Sequence, residues 1–204
     1  GPNAGHLIPN VKASGIYASE FSNNIYIYGL FGVKLLKGTT LESIMSNHDY
    51  LANNINRAIE TKDGLQCFAS NIYGVIIVYK NKIFTINKKN GLLTNFVNSI
   101  YVDKNNQLWA ATSEGISKIS IAFQEENLTF AIKNYTQSDG LNARSFNDLT
   151  MDGDILYASS DHGVCMFEER DLNFETAKPK VNIEAISINE KVQNMRNEYI
   201  FDYP

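Results

Sequence analysis

The stretch NGLLTNFVNSIYVDKNNQLWAATSEGISKI, residues 90 to 119, reads as short strands broken by turns. Gln107 to Thr112 and Ile116 to Ile121 are apolar-rich runs separated by Ser113, Glu114 and Gly115. That is strand, tight turn, strand, with a glycine where a positive φ is needed. The arrangement returns at Gly153 to Ser159, Ser160 to Gly163 and Val164 to Phe167, and Lys82 to Asn87 and Leu128 to Tyr135 predict further strands. No run of helical length shows a 3.6-residue period. The best candidate, Leu51 to Glu60, holds asparagines at 53, 54 and 56, which favour turns over helix interiors.

Working outward, the pattern is periodic. Gly32, Gly74, Gly115 and Gly163 each precede a β-branched residue, at spacings of 42, 41 and 48. Six residues before each stands an aromatic (Tyr26, Phe68, Trp109, Tyr157), and four residues after each a large apolar side chain (Leu36, Val78, Ile119, Phe167). With aromatics at 11% of the chain, four hits at one offset have a chance probability on the order of one in several thousand. Upstream, 51–59, 92–100 and 141–149 align without a gap, each opening on Leu and reaching Ile, Ile or Leu eight positions on. Gly91 and Gly140 precede the second and third of these, and Tyr50 the first. A period of about 42 residues with four short strands is the size of one β-propeller blade, longer than a solenoid repeat and about half an Ig domain. The expected fold is therefore all-β: about four blades of a partial propeller over residues 8–177, with the recurring aromatics packed between blades.

Composition narrows the function. The 204 residues carry 18 Lys+Arg and 22 Asp+Glu, a formal net charge of −4. That balance argues against a phosphate-binding nucleic-acid surface. The longest apolar stretch, Val75 to Tyr79, is far short of the roughly 20 residues that span a bilayer. Gly1-Pro2 resembles the scar of a cleaved tag, so residues 1–7 are expected to be a tag-like start and the chain a piece of a longer protein. Cys67 and Cys165 form no metal pattern and fall in blades two apart, so neither a metal site nor a disulfide is expected. The histidines, His6, His48 and His162, form no catalytic arrangement; Ser160, Asp161 and His162 are adjacent turn residues whose side chains point apart. No catalytic residue and no cofactor are expected.

Residues 90–119 resemble the two-component regulator propeller repeat. The matching positions are Gly91, Leu92, Val97, Ile100, Asp103, Leu108, Trp109, Thr112, Gly115 and Ile116. Asp139 to Phe167 matches again with Tyr157 in place of Trp, and the two earlier units are more degenerate. The resemblance implies a periplasmic, ligand-sensing region of a bacterial signalling receptor that responds to a glycan or glycan fragment. Such receptors act through a homodimer, with a membrane helix and any kinase activity elsewhere in the parent protein. In that family a triple-tyrosine, Ig-like sandwich follows the last blade. Residues 178–204, with Val181, Ile183, Ile186 and Ile188 on a near-alternating pattern, resemble its first strands and stop too early to complete it.

Candidate binding residues come from the segments after each Gly-Leu, expected to cross one propeller face. They place Asn54, Asn95 and Arg144 at one equivalent position and Arg57, Asn98 and Asn147 at another. Amides and guanidinium groups on a concave surface suit sugar hydroxyls or acidic sugars. The alternative class is a protein-interaction propeller fragment without small-molecule sensing, marked by a flat apolar face rather than a polar pocket.

Overall fold

The computed structural model describes residues 12–45, 48–124 and 127–172, together with the backbone of 186–188 and 191–193. Residues 1–174 form one compact unit and 175–204 a second. The first blade comprises β1 (Ala13–Ala18), β2 (Ile25–Gly29), β3 (Gly32–Lys37) and β4 (Thr40–Ser43). The second comprises β5 (Ile55–Glu60), β6 (Gln66–Ser70), β7 (Gly74–Tyr79) and β8 (Lys82–Ile86). The third holds β9 (Val97–Val102), β10 (Leu108–Thr112), β11 (Gly115–Gln124) and β12 (Asn127–Tyr135), and the fourth β13 (Asp148–Asp152), β14 (Ile155–Ser160) and β15 (Gly163–Glu168). Each sheet is antiparallel with strands in chain order, as hairpin connections require. In the second unit β16 (Ile186–Ile188) pairs with β17 (Lys191–Gln193). The tag-like start and most of the expected sandwich lie outside the described residues.

The four sheets are all-β propeller blades, and the first strands of neighbouring blades adjoin one another. Three apolar clusters hold the junctions. Tyr26, Tyr28 and Val33 of the first blade meet Ala58, Phe68 and Ile76 of the second. Cys67, Val75 and Ile77 of the second meet Ile100, Leu108 and Ile119 of the third. Trp109 and Ile116 of the third meet Phe146, Leu156 and Cys165 of the fourth. The recurring aromatics Tyr26, Phe68 and Trp109 are at most 1% exposed, as core packing requires. Leu51, Leu92 and Leu141, which open the aligned approach segments, are also buried.

Two of the anchor glycines show why no side chain fits there. Gly74 has φ +80 and Gly115 φ +139. A Cβ at Gly74 would sit 2.3 Å from the Ile86 carbonyl oxygen, and one at Gly115 2.3 Å from that of Tyr135. The chain leaving the fourth strand thus runs directly over the inner hairpin.

The structure corrects one alignment. In the second blade the hairpin from Ser70 to Gly74 spans one residue more than Thr112 to Gly115 or Ser160 to Gly163. Its approach is one residue shorter: the bulge residue is Asn56, five positions after Leu51, against Asn98, six after Leu92. The two offsets cancel in total length. Side chains alternate faces along a strand, so between the offsets every residue lies on the opposite face from its aligned counterpart. Phe68 therefore faces the first blade, and Cys67 takes the place that Trp109 holds in the third.

The two end blades expose what internal blades bury. Ile16 is 66% exposed, while Ala58, Ile100 and Leu149 at the same place are at most 4% exposed. At the other end Val164 is 64% exposed where Val33, Val75 and Ile116 are at most 3% exposed. Met166 is exposed and Tyr157 half-buried on the same fourth-blade face.

Both cysteines are free and buried, Cys67 in the second–third junction and Cys165 in the third–fourth. Burial pushes the Cys67 thiol up to about 12, so at neutral pH it carries almost no nucleophilic thiolate. Without reductant, two thiols per chain will react with a thiol reagent in denaturant, and Cys67 in native protein will react only as fast as the protein opens. Immediate labelling of native Cys67 at pH 7 would contradict this.

Candidate functional site

A cleft of about 490 Å³ opens where the first strands of three blades approach their following turns. Tyr17 and Phe21 come from the first blade, Arg57, Glu60 and Lys62 from the second, and Tyr101, Asp103 and Lys104 from the third. Its polar groups fall into two classes. Glu60 and Asp103 are buried, and Oε2 of Glu60 and both carboxylate oxygens of Asp103 accept hydrogen bonds. Oε2 of Glu60 accepts from Ser22 Oγ at 2.7 Å, Tyr26 OH at 2.9 Å and Asn24 Nδ2 at 3.4 Å. The Tyr26 hydroxyl is thereby raised, first by burial and then by the hydrogen bond and charge of Glu60, which keeps it a donor.

Asp103 explains a spacing in the repeat. Its Oδ1 accepts the backbone N–H of Asn105 and of Gln107, each at 2.9 Å, closing the β9–β10 turn. Its Oδ2 accepts Trp109 Nε1 at 3.0 Å. An aspartate at the turn therefore caps the turn and satisfies the buried indole six residues on. Trp109 also stacks on Tyr135, with ring centroids 5.9 Å apart. In the fourth blade the two-residue turn at Gly153 and Asp154 replaces this arrangement.

Arg57 belongs to the second class. Its Nε is buried without a hydrogen-bond partner, and its guanidinium has no ion pair among the described residues. Lys62 is exposed and also unpaired among them, whereas Lys104 pairs with Asp154 at 2.7 Å. A buried donor on a charged group without a partner is costly.

The six sequence-derived candidates are not gathered into one place. Arg57 lines the cleft and the other five do not. Asn54, Asn95 and Arg144 each lie beside the inner hairpin of the preceding blade, but they do not share one place: the Asn71 N–H donates to the Asn54 carbonyl as the Ser113 N–H donates to that of Phe96, so Asn54 matches Phe96 and not Asn95. The Asn54 N–H donates to the Leu30 carbonyl, the Asn95 carbonyl accepts from Gly74, and exposed Arg144 pairs with Glu114 at 2.6 Å. The Asn95 side chain also accepts the Lys88 N–H.

The second group divides. Asn98 Nδ2 donates to the Phe146 carbonyl at 2.8 Å, and Asn56 Nδ2 makes the matching bond to Val97 at 2.8 Å. Asn56, not Arg57, is thus the equivalent of Asn98 and Asn147; Asn147 bonds Asp161 at 3.1 Å. The one-residue shorter approach of the second blade moves Arg57 one place on, to the position of Ser99. Sequence reasoning missed Tyr17, Glu60, Lys62 and Tyr101 because it looked only after the Gly-Leu pairs. The signal was the charged residues of the first-to-second-strand turns, Glu20, Lys62 and Lys104, which the repeat frame brings to one end.

Among the described residues no group of His, Cys, Asp and Glu could hold a metal ion. No helix among them is long and apolar enough to cross a membrane.

Comparison with known proteins agrees with this geometry. The family described as two component regulator propeller matches residues 91–114, which include Asp103 and Trp109. Histidine kinase P4 of Formosa agariphila is 29% identical over 121 residues, which are 56% of this chain and 8% of that protein. The chain therefore spans less than a tenth of that curated relative. The extracellular domain assigned to hybrid two component system BT3049 of B. thetaiotaomicron superposes with a TM-score of 0.63 at 20% identity, over 89% of this chain and 26% of that one. The computationally designed Ika4 protein superposes with a TM-score of 0.53 at 13% identity, over 81% of this chain and 99% of that one. These likenesses are of fold.

Proposed function

From a chain that carries the two-component regulator propeller repeat, we propose a ligand-sensing module of a bacterial signalling receptor, held outside the cytoplasm and detecting a glycan fragment. The observation that carries this reading is the cleft shared by three blades, with an arginine whose buried Nε has no hydrogen-bond partner among the described residues and the rings of Tyr17, Phe21 and Tyr101 around it. Aromatic faces beside hydrogen-bonding groups suit the apolar and hydroxyl faces of a sugar. No reaction is assigned to the module; it binds.

A ligand touching three blades at once favours one mutual arrangement of them. It shifts an equilibrium only by its difference in affinity for the two arrangements. In a parent receptor acting as a homodimer, that preference would reach the partner protomer, and kinase output would lie in another part of the parent.

Thermal denaturation against a panel of oligosaccharides tests the reading. A ligand at a hundred times its Kd stabilises by about 2.7 kcal/mol, a rise of about 5–10 °C for a body of this size. No shift with any glycan, together with saturable binding of a protein partner, overturns it.

A second reading has its own observation. The opposite face, at the inner hairpin tips and approach segments, exposes Leu30, Tyr50, Ile72 and Phe96. That apolar set favours contact with a protein there.

A further inference from the structure

We infer that the cleft of Arg57 is an oxyanion subsite, and that the saccharide it takes carries a carboxylate or sulfate group. The inference rests on the glycan-sensing reading and names the class of glycan. It starts from which hydrogen-bonding groups are spent. One oxygen of Glu60, Oε2, accepts from Ser22, Tyr26 and Asn24. Asp103 accepts from two backbone N–H groups and the Trp109 indole. Lys104 is turned to Asp154.

What remains on the walls is mostly donor. Among the described residues Arg57 has a buried Nε and a guanidinium with no ion pair, and Lys62 is unpaired at the rim, against the carboxylate of exposed Glu20 and Oε1 of Glu60. A neutral hydroxyl brings no charge to the guanidinium. A planar carboxylate, or two oxygens of a sulfate, matches the guanidinium fork with two parallel hydrogen bonds. The rings of Tyr17, Phe21 and Tyr101 in the same cleft distinguish an anionic sugar from a bare ion, since they offer surface to the ring that carries the charge.

The position of Arg57 supports a role in binding rather than in folding. In the third blade the same place is held by Ser99, whose hydroxyl donates to Asp148 of the next blade at 2.5 Å. The second blade has exchanged that inter-blade bond for a charge with no ion pair among the described residues. A group that costs stability when the cleft is empty is one whose partner arrives from outside.

Calorimetric titration of the 204-residue protein with digalacturonate, a sulfated disaccharide, a neutral disaccharide and sodium sulfate tests the inference. The anionic disaccharides are expected to bind at least about tenfold more tightly than the neutral one, a difference of about 1.4 kcal/mol. Arg57→Gln should remove that preference and Arg57→Lys retain part of it. Without ligand, Arg57→Gln should melt at or above the wild-type temperature, because an unpaired buried donor is lost.

Equal binding of neutral and anionic disaccharides overturns the oxyanion subsite and leaves glycan sensing standing. Arg57-dependent binding of sulfate, with no saccharide bound, supports the subsite and removes the glycan reading. Lower melting of Arg57→Gln, with binding unchanged, overturns the subsite and makes the arginine a folding residue. Which anionic disaccharide binds more tightly separates carboxylate from sulfate as the source of the charge.

Discussion

Lysine in place of Ile116 is expected to lower stability by more than about 4 kcal/mol, whereas lysine in place of Val164 changes it by no more than about 0.5 kcal/mol. The two residues hold the same place in the repeat, directly after the anchor glycine. Ile116 is 0% exposed and packs in the third–fourth junction, while Val164 is 64% exposed on the far face of the fourth blade. A lysine at 116 would bury an ammonium group with no carboxylate in the cluster, and would also lose the apolar transfer of the isoleucine. At 164 the ammonium reaches water. Chemical denaturation of the two variants, compared at equal m-value, checks the pair. Equal losses would show that the fourth-blade face is covered in solution.

Asp103→Ala is expected to cost about 2–4 kcal/mol and to lower the melting temperature by about 5–15 °C. Three hydrogen bonds end on this one carboxylate. The turn N–H groups regain water when it is removed. The Trp109 indole does not, because Trp109 is 1% exposed. Asp103→Asn should recover only part of the loss: one amide oxygen can serve the turn or the indole, and an amide NH2 turned toward the indole N–H sets donor against donor. Urea denaturation followed by Trp109 fluorescence measures both variants. A loss below about 0.5 kcal/mol for the alanine variant would mean that another group takes the indole proton.

The legible part of the fold was what recurs. Strands β10, β11, β14 and β15 and their glycine turns could be placed from Trp109, Gly115, Tyr157 and Gly163 because two-residue hairpins fix register. Burial of Leu51, Leu92 and Leu141 was legible for the same reason. The second blade was misread by one residue because its two offsets cancel, and an alignment anchored on Leu51 and Gly74 has equal length either way.

The site was less legible. Arg57 drew notice by its alignment with Asn98 and Asn147, but its surroundings depend on what Glu60 and Asp103 have bonded, and those bonds join residues up to 38 apart in sequence. The roles of Asn98 and Asn56 as clasps between blades needed the neighbouring carbonyls of Phe146 and Val97.

The cancelling offsets of the second blade also constrain how the gene can be reshuffled. Repeats of matching length invite crossing-over, and a length-preserving exchange would join residues 51–59 to residues from 101 onward. Ile59 and Tyr101, however, pair with Cys67 and Trp109, which hold the same place in their blades. The hybrid strand would carry that place twice, and every side chain after the seam would point to the wrong face until the next turn. An exchange that deletes one residue at the seam keeps the strands in phase, so viable recombinants between these two repeats are frame-preserving at the nucleotide level but unequal in length.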